Sequence, residues 1–205
     1  MNFLARWHDG RMSEPTVRWM SQPLNAQDTR RALAGLTTAE RERYETSPRP
    51  GSFLAGRLLL RDLIAELGAE GEIVAECPDC GGPHGKPMLR GSAPHLSPLH
   101  LSLSHGAGVV VAAASWNSPV GVDVEEAPSP AALAAIGIVA GEATLERWTR
   151  VEAILKADGR GLRVDPRRVT IEDDVGELDA NRYALSEHTL APGLRASVAI
   201  ALAQP

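Results

Sequence analysis

The sequence has only two cysteines, Cys77 and Cys80, among its 205 residues. Two are too few for a small secreted scaffold held together by disulfides. The longest apolar stretches are interrupted within a few residues, and none approaches the roughly 20 apolar residues that a membrane-spanning helix needs. The first ten residues have no basic flank before a long apolar region, unlike a secretory signal. These absences predict a soluble cytoplasmic protein whose thiols stay reduced.

The chain also lacks an excess of positive charge. It has 21 Lys and Arg against 26 Asp and Glu, which gives a formal net charge of −5. Proteins that bind nucleic acid usually concentrate basic residues to neutralise phosphates, so this balance argues against such a partner. Any anionic ligand must be held by local basic residues. The hydrophobic share of 43% is ordinary, and the length allows one domain or two small lobes.

Two segments have the apolar period of a helix. The first runs from 53 to 67 and is closed by Gly68 at the usual terminating position. The second runs from 145 to 157, with glycines just beyond its end. Glu152 lies on the apolar stripe of this second helix, four residues after Trp148. Its carboxylate should therefore point toward the core side, where it needs a partner.

Other segments alternate as strands do. Residues 109–115 begin with β-branched side chains and end at a turn cluster, which predicts a strand entering a hairpin. Residues 120–125 alternate strictly between apolar and non-apolar residues. Because successive strand side chains point to opposite faces, Asp123 and Glu125 should project side by side, away from the valines. Two further alternating segments predict closing strands, at 169–171 and 196–202. The predicted class is α+β, with helices and sheets in separate runs.

The paired acids indicate a cation site. Like charges held close raise a carboxyl pKa unless a cation compensates. Oxygen ligands without histidine or thiolate suit Mg²⁺, with Mn²⁺ as an alternative, and Mg²⁺ usually takes one or two carboxylates plus substrate phosphates. Glu152 could complete this set from the neighbouring helix. The alternative is that Asp123 and Glu125 form the solvated face of a strand. Lys156, one turn after Glu152, either supports its helix or points at a phosphate.

Four segments match one pattern in order: residues 53–57, 85–87, 103–105 leading to 121–125, and 148–161. The last is the most specific, because Trp148, Glu152 with Ala153, Lys156 and a Gly-x-Gly follow a Gly-x-Asp-x-Glu strand. Over about residues 40–162, the chain resembles the 4′-phosphopantetheinyl transferase family in its larger, monomeric Sfp-type form.

This resemblance implies two pseudo-symmetric lobes, residues 1–115 and 116–205. Each lobe would be a small antiparallel sheet packed on a helix, with the active site in the cleft between them. The first lobe would hold the adenine and 3′-phosphate side of coenzyme A, and the second the metal site and catalytic helix. The implied activity moves the phosphopantetheine arm of coenzyme A to a serine of an apo acyl or peptidyl carrier protein, releasing adenosine 3′,5′-bisphosphate.

The resemblance also implies roles for individual residues. Asp123, Glu125 and Glu152 match the metal-binding acids, and Lys156 matches the active-site lysine. Glu152 is the candidate general base, either directly or through a metal-bound water. Glu152 and Lys156 are therefore the predicted catalytic residues.

Coenzyme A would be held by basic side chains at the site, because the protein has a negative net charge and the ligand carries three phosphates. Arg49 and Arg57 resemble a basic pair that grips the 3′-phosphate, and His105 would help to hold it. Lys86 matches a coenzyme-binding lysine. Taken singly, each would usually be a solvated or structural side chain. The matched coenzyme contacts are Arg49, Arg57, Lys86, Pro87, Ser104, His105, Asp123 and Lys156.

One competing signal is the Cys-x-x-Cys turn at Cys77 and Cys80, which is followed by His84. These residues could begin a zinc site, but a fourth ligand would have to be His95 or His100. We therefore expect a loop with two reduced thiols and keep zinc as the alternative. A thioredoxin-like redox centre is disfavoured, because no βαβ unit surrounds the motif.

Two further functions stay open at this stage. A non-catalytic coenzyme A or carrier-binding homologue would keep the pocket, although retention of the three acids and Lys156 argues against it. A small zinc-stabilised nucleic-acid module centred on Cys77 is disfavoured by the acidic balance.

The stretch 126–147 is short for the family, where this region helps to contact the carrier. Neither the carrier nor its pathway, whether fatty-acid, polyketide or nonribosomal peptide synthesis, is therefore predicted.

Overall fold

The computed structural model describes residues 14–91, 98–106, 108–126, 144–191 and 194–203. The elements of the first half are β1 (Thr16–Ser21), α1 (Ala26–Gly35), α2 (Thr38–Thr46), α3 (Pro50–Glu66), β2 (Glu72–Val74), β3 (Met88–Arg90), β4 (Leu99–Gly106) and β5 (Val109–Trp116). Those of the second half are β6 (Val120–Glu126), α4 (Leu145–Asp158), β7 (Thr170–Glu172), β8 (Val175–Leu178), β9 (Asn181–Ala191) and β10 (Leu194–Ala201).

The strands form two antiparallel five-stranded sheets, in the orders β1-β5-β4-β3-β2 and β6-β10-β9-β8-β7. The two orders are equivalent. In each sheet the first strand in sequence lies at one edge and pairs with the fifth, and the fourth, third and second strands follow in that order. A helix packs on each sheet, α3 on the first and α4 on the second. The predicted α+β class is confirmed. The helices in the described part of the chain are too short or too polar to cross a membrane.

The core has the layer order helix, sheet, sheet, helix. Even-numbered residues of β5, from Val110 to Ala114, pack with α3, whereas the odd-numbered ones from Val109 to Ala113 face the second sheet. The valines of β6 meet them there and are at most 1% exposed. Burial of each such side chain stabilises the fold by about 1.5–3 kcal/mol. Because both faces of β5 are covered, its sequence is a continuous apolar run rather than an alternation.

Both predicted helices are confirmed, with small shifts at their ends. α3 begins three residues before the predicted start, because Pro50 occupies the first helical turn, where its missing N–H costs nothing. α4 begins at a Thr144 cap, whose side chain accepts a hydrogen bond from the Arg147 amide. It ends at Gly159, which has φ 91° and adopts the left-handed conformation that glycine allows at a helix terminus.

The predicted hairpin after β5 is wrong. The turn at residues 117–119 leads from the first sheet into the second, where β6 pairs with β10 and not with β5. The alternation of β6 specifies which face is apolar but not which strand lies beside it. Its valines find apolar partners across the interface between the sheets. The predicted closing strands correspond to β7 and β10 and are confirmed.

Candidate functional site

Two serines of β4 join the first sheet to the edge of β6. Ser102 Oγ accepts a hydrogen bond of 3.0 Å from the Val122 amide, and Ser104 Oγ accepts one of 3.3 Å from the Val124 amide. These amides lie on the side of β6 that does not pair with β10, and leaving a buried donor unsatisfied would cost about 1–3 kcal/mol each. The serine hydroxyls therefore fix the register of β4 beside β6.

The opposite side of this junction is formed by α4, which approaches β6 at Gly121. A Cβ atom on Gly121 would lie 1.9 Å from the carbonyl oxygen of Ala153, so only glycine permits this distance. Because Asp123 and Glu125 share the strand face of Gly121, they lie under the helix. Glu152, next to Ala153, belongs to the same helix. The close approach thus brings carboxylates from a strand and a helix into one region.

Asp123 lies at the centre of this region and is 4% exposed. Its Oδ1 accepts a hydrogen bond of 2.8 Å from Ser104 Oγ and another of 2.6 Å from Lys156 Nζ. Lys156 Nζ also donates to Ser104 Oγ over 2.9 Å, which closes a triangle of three polar groups. The second carboxylate oxygen, Oδ2, is buried and has no hydrogen-bond partner in the described part of the chain.

The two glutamates near Asp123 have raised pKa values. Burial raises the pKa of Glu125 and the charge of Asp123 raises it further, while Lys156 and a hydrogen bond from Trp148 act in the opposite direction. Burial likewise raises the pKa of Glu152, with Lys156 opposing and the two other acids adding to the rise. The three acids therefore share one electrostatic environment, in which a single lysine offsets part of their charge.

These acids fit a divalent cation by the chemistry of their donors. Asp123 Oδ2 is an available hard oxygen, and both glutamates would be stabilised as anions by a neighbouring positive charge. Their ligand oxygens do not form a closed set, because the only three potential metal-ligating side chains described within 4.8 Å of one another are Cys77, Cys80 and His84. A cation bound to the acids would have to draw them closer together.

A positively charged zone adjoins the acids. His105 follows Ser104 at the end of β4. Partial burial lowers the pKa of the His105 ring, and the charges of Arg49 and Lys156 lower this pKa further, whereas the charge of Asp123 raises it. Arg49 caps α3, and its exposed side chain makes no capping hydrogen bond. The charges of Arg49 and Lys156 therefore both act on His105, and Arg49 lies at the N-terminus of a 17-residue helix, where anions are favoured.

Arg57, the other residue of the predicted basic pair, is held by partners within the protein. The two residues are eight positions apart, which is about 12 Å along a helix axis. Arg57 is only 7% exposed; its Nε lies 3.3 Å from Oε1 of buried Glu40, and its guanidinium stacks on Phe53 at 5.2 Å. Its charge therefore holds α2 against α3.

Lys86 also has a structural set of partners. Its ammonium donates to the carbonyl oxygens of Val120, Lys156 and Ala157 over 3.0, 2.6 and 3.1 Å, which uses all three of its protons. Burial lowers the pKa of Lys86 to about 8, with Asp158 opposing. Lys86 thus attaches the first half of the chain to the last turn of α4. Lys86 and Lys156 are the only lysines in the sequence.

A cavity of about 620 Å³ opens beside these lysines. Pro87, Ser102 and Leu103 of the first half line it together with Lys156 and Arg160 of the second. Its size falls within the range of roughly 300–1,000 Å³ that is usual for small-molecule sites. Pro87 therefore lies at the wall of this cavity.

Sequence reasoning missed one residue of this region and the role of another. Ser102 joins β4 to β6, and its signal was its position two residues before Ser104, on the same strand face. Trp148 belongs to the matched segment, but its hydrogen bond to Glu125 was not predicted. The stretch 127–143, which includes most of the predicted carrier contact, lies outside the described residues, as does His95.

No family model matches this chain, and a comparison with curated proteins finds no match either.

Proposed function

We propose that this protein is a 4′-phosphopantetheinyl transferase, which moves the phosphopantetheine arm of coenzyme A to a serine of an apo acyl or peptidyl carrier protein. The observation that carries the proposal is the state of Asp123. Lys156 and Ser104 hold its Oδ1, while the buried Oδ2 lacks a partner among the described residues and two further acids lie nearby. An unpartnered buried carboxylate oxygen is costly, and a cation carried with a phosphorylated substrate would satisfy it.

The substrate would bind across the two halves of the chain. Arg49 and the start of α3 would provide positive charge for the 3′-phosphate, and the ring of His105 would donate a hydrogen bond to it. The cavity beside Pro87 and Lys156 has room for part of coenzyme A. Mg²⁺ held by Asp123, Glu125 and Glu152 would neutralise charge on the pyrophosphate.

The chemistry is a substitution at the β-phosphorus of coenzyme A. The serine oxygen of the carrier forms a bond to this phosphorus, and the bond from the phosphorus to the bridging oxygen breaks. Glu152 takes the proton of the serine hydroxyl as the general base. Adenosine 3′,5′-bisphosphate leaves with the electron pair, and the Lys156 ammonium stabilises the charge that develops on it.

The test is to incubate the protein with Mg²⁺, coenzyme A and a panel of apo-carriers, and then to weigh the carriers by mass spectrometry. We expect at least one carrier to gain the mass of phosphopantetheine. Asp123→Ala and Glu152→Ala should fold but not load it, whereas Glu177→Ala should retain loading, because Glu177 is an exposed acid on β8.

Retained loading in both Asp123→Ala and Glu152→Ala would refute the assignment. Tight binding of coenzyme A by the wild type without transfer to any carrier would instead favour the non-catalytic homologue.

A further inference from the structure

The segment between β2 and β3 folds into a tight turn around two thiols. The Gly81 amide donates to the Cys77 carbonyl over 2.8 Å, and the Cys77 amide donates to the Gly82 carbonyl over 2.7 Å. Gly81 has φ 69°, in the left-handed region, which favours glycine at this position. Both cysteines are free thiols, and the turn points them toward the same side as His84.

Three potential metal ligands converge at this turn. The ligand atoms of Cys77, Cys80 and His84 all lie within 4.8 Å of one another, and Cys80 Sγ is 3.1 Å from His84 Nε2. Ligands of a tetrahedral zinc ion, with bonds of about 2.0–2.3 Å, are about 3.5–3.8 Å apart. Small side-chain rotations would therefore be enough to place a zinc ion between them.

A backbone amide is directed at one of the two sulfurs. The Gly82 amide donates to Cys80 Sγ over 3.4 Å. Such a bond stabilises a thiolate, which is the form of cysteine that binds metals.

We propose that Cys77, Cys80 and His84 bind Zn²⁺ through two sulfurs and one imidazole nitrogen, with the fourth position open to water. Soft thiolates and imidazole select zinc over Mg²⁺, so this site differs in its chemistry from the carboxylate cluster. His100, the described candidate for a fourth ligand, is not part of the group. Asp79 Oδ2 lies 3.9 Å from Cys77 Sγ but is paired with Arg163 at 2.9 Å.

The ion would stabilise the wall of the cavity beside Lys86. Asp79 and Arg163 connect the turn to the segment after α4. The Gly85 amide donates to the Ala75 carbonyl over 2.7 Å, and a Cβ on Gly85 would lie 2.2 Å from the Glu76 carbonyl oxygen. The next residue is Lys86. Zinc would therefore fix the loop from which Lys86 reaches α4, whether or not the protein is a transferase.

The test measures metal binding by the full chain, purified under reducing conditions without added zinc. Its metal content is determined by mass spectrometry, and Co²⁺ is then titrated in excess Mg²⁺, which competes for oxygen ligands but not for thiolates. The variants are Cys80→Ser and His84→Ala, both exposed positions that folding should tolerate. His188→Ala, on β9 of the other sheet, is the matched control.

We expect about one zinc ion per chain and, with Co²⁺, the intense visible absorption of a tetrahedral site together with a sulfur charge-transfer band. Each ligand variant should lose more than about tenfold in Co²⁺ affinity, and the control should not. Adding a chelator should lower the Tm of the wild type and leave the Tm of the variants unchanged.

Three results would overturn the proposal. The first is a folded, reduced wild type that contains no zinc and gives only the weak spectrum of octahedral Co²⁺. The second is Co²⁺ affinity in both ligand variants equal to that of the control. The third is a Cys77 to Cys80 disulfide in the purified protein, with no metal uptake after its reduction.

Discussion

Replacing Lys156 with methionine removes the one ammonium that balances the buried acids while keeping most of its apolar length. Lys156 Nζ lies 2.6 Å from Asp123 Oδ1, and the Asp123 side chain is 5% exposed. Removing one partner of a buried ion pair costs about 3–5 kcal/mol, because the other charge stays buried. The Lys156 side chain is 28% exposed, so solvent screens part of this interaction and the expected loss falls to about 2–3 kcal/mol.

A double-mutant cycle separates this charge effect from lost packing. Asp123→Asn removes the negative charge but keeps an oxygen that can accept the hydrogen bond from Ser104. In urea denaturation at pH 7 without divalent cations, Lys156→Met should lower the free energy of unfolding by the amount above. The double variant should lose less than the sum of the two single losses, with a coupling of about 1–3 kcal/mol.

The matched control is Arg182→Met, which breaks an exposed ion pair with Glu177. Exposed pairs contribute about 0–1 kcal/mol, so this variant should be nearly as stable as the wild type. The contradicting results are a loss of unfolding free energy in Lys156→Met no greater than in this control, or a coupling below about 0.5 kcal/mol in the cycle. Either result would mean that Lys156 does not offset the charge of Asp123.

Three other changes test the surroundings of the site. Gly121→Ala should lower the free energy of unfolding in urea by about 3 kcal/mol, because its Cβ would lie 1.9 Å from the Ala153 carbonyl oxygen. Its control is Gly51→Ala, whose Cβ meets only ordinary contacts and should be tolerated. Lys86→Met should lower the free energy of unfolding by about 3 kcal/mol, because three carbonyl oxygens lose a charged donor. A loss as small as that of Gly51→Ala would contradict the structural role of Lys86. Glu152→Gln should raise the Tm at pH 7, with a gain that disappears as the pH falls toward the ordinary carboxyl pKa. The pKa of Glu152 is higher in the folded state than in the unfolded state. Glu152 therefore contributes its full stability at a pH below its unfolded-state pKa, and this contribution is lost as the pH rises through its folded-state pKa. A gain that is independent of pH would contradict this assignment.

The sequence predicted the elements that carry the acids because their signals are local. Alternation in β6 identified the face of Asp123 and Glu125, and the 3.6-residue period of α4 identified the side of Glu152. The Cys-x-x-Cys turn was visible for the same reason, since Cys77, Cys80 and His84 are close in sequence. Such local patterns predict the direction of a side chain relative to its own strand or helix.

The contacts that sequence reasoning did not find join distant parts of the chain. Lys86 bonds to carbonyl oxygens 34 to 71 residues away, and no periodicity refers to such partners. Arg57 was predicted at a phosphate but is paired with Glu40, which lies on a different helix. The pairing of β6 with β10 instead of β5 likewise depends on which apolar faces meet in the folded chain. Such partners are set by tertiary packing.

The most direct test of the proposed activity is to measure both products of one reaction. The protein is incubated with Mg²⁺, coenzyme A and a carrier that it loads; the modified carrier is quantified by mass spectrometry and adenosine 3′,5′-bisphosphate by chromatography. The transfer mechanism predicts equal amounts of the two products, and neither product with Glu152→Ala. Release of the bisphosphate without loading of the carrier, or equal loading by Glu152→Ala, would contradict it.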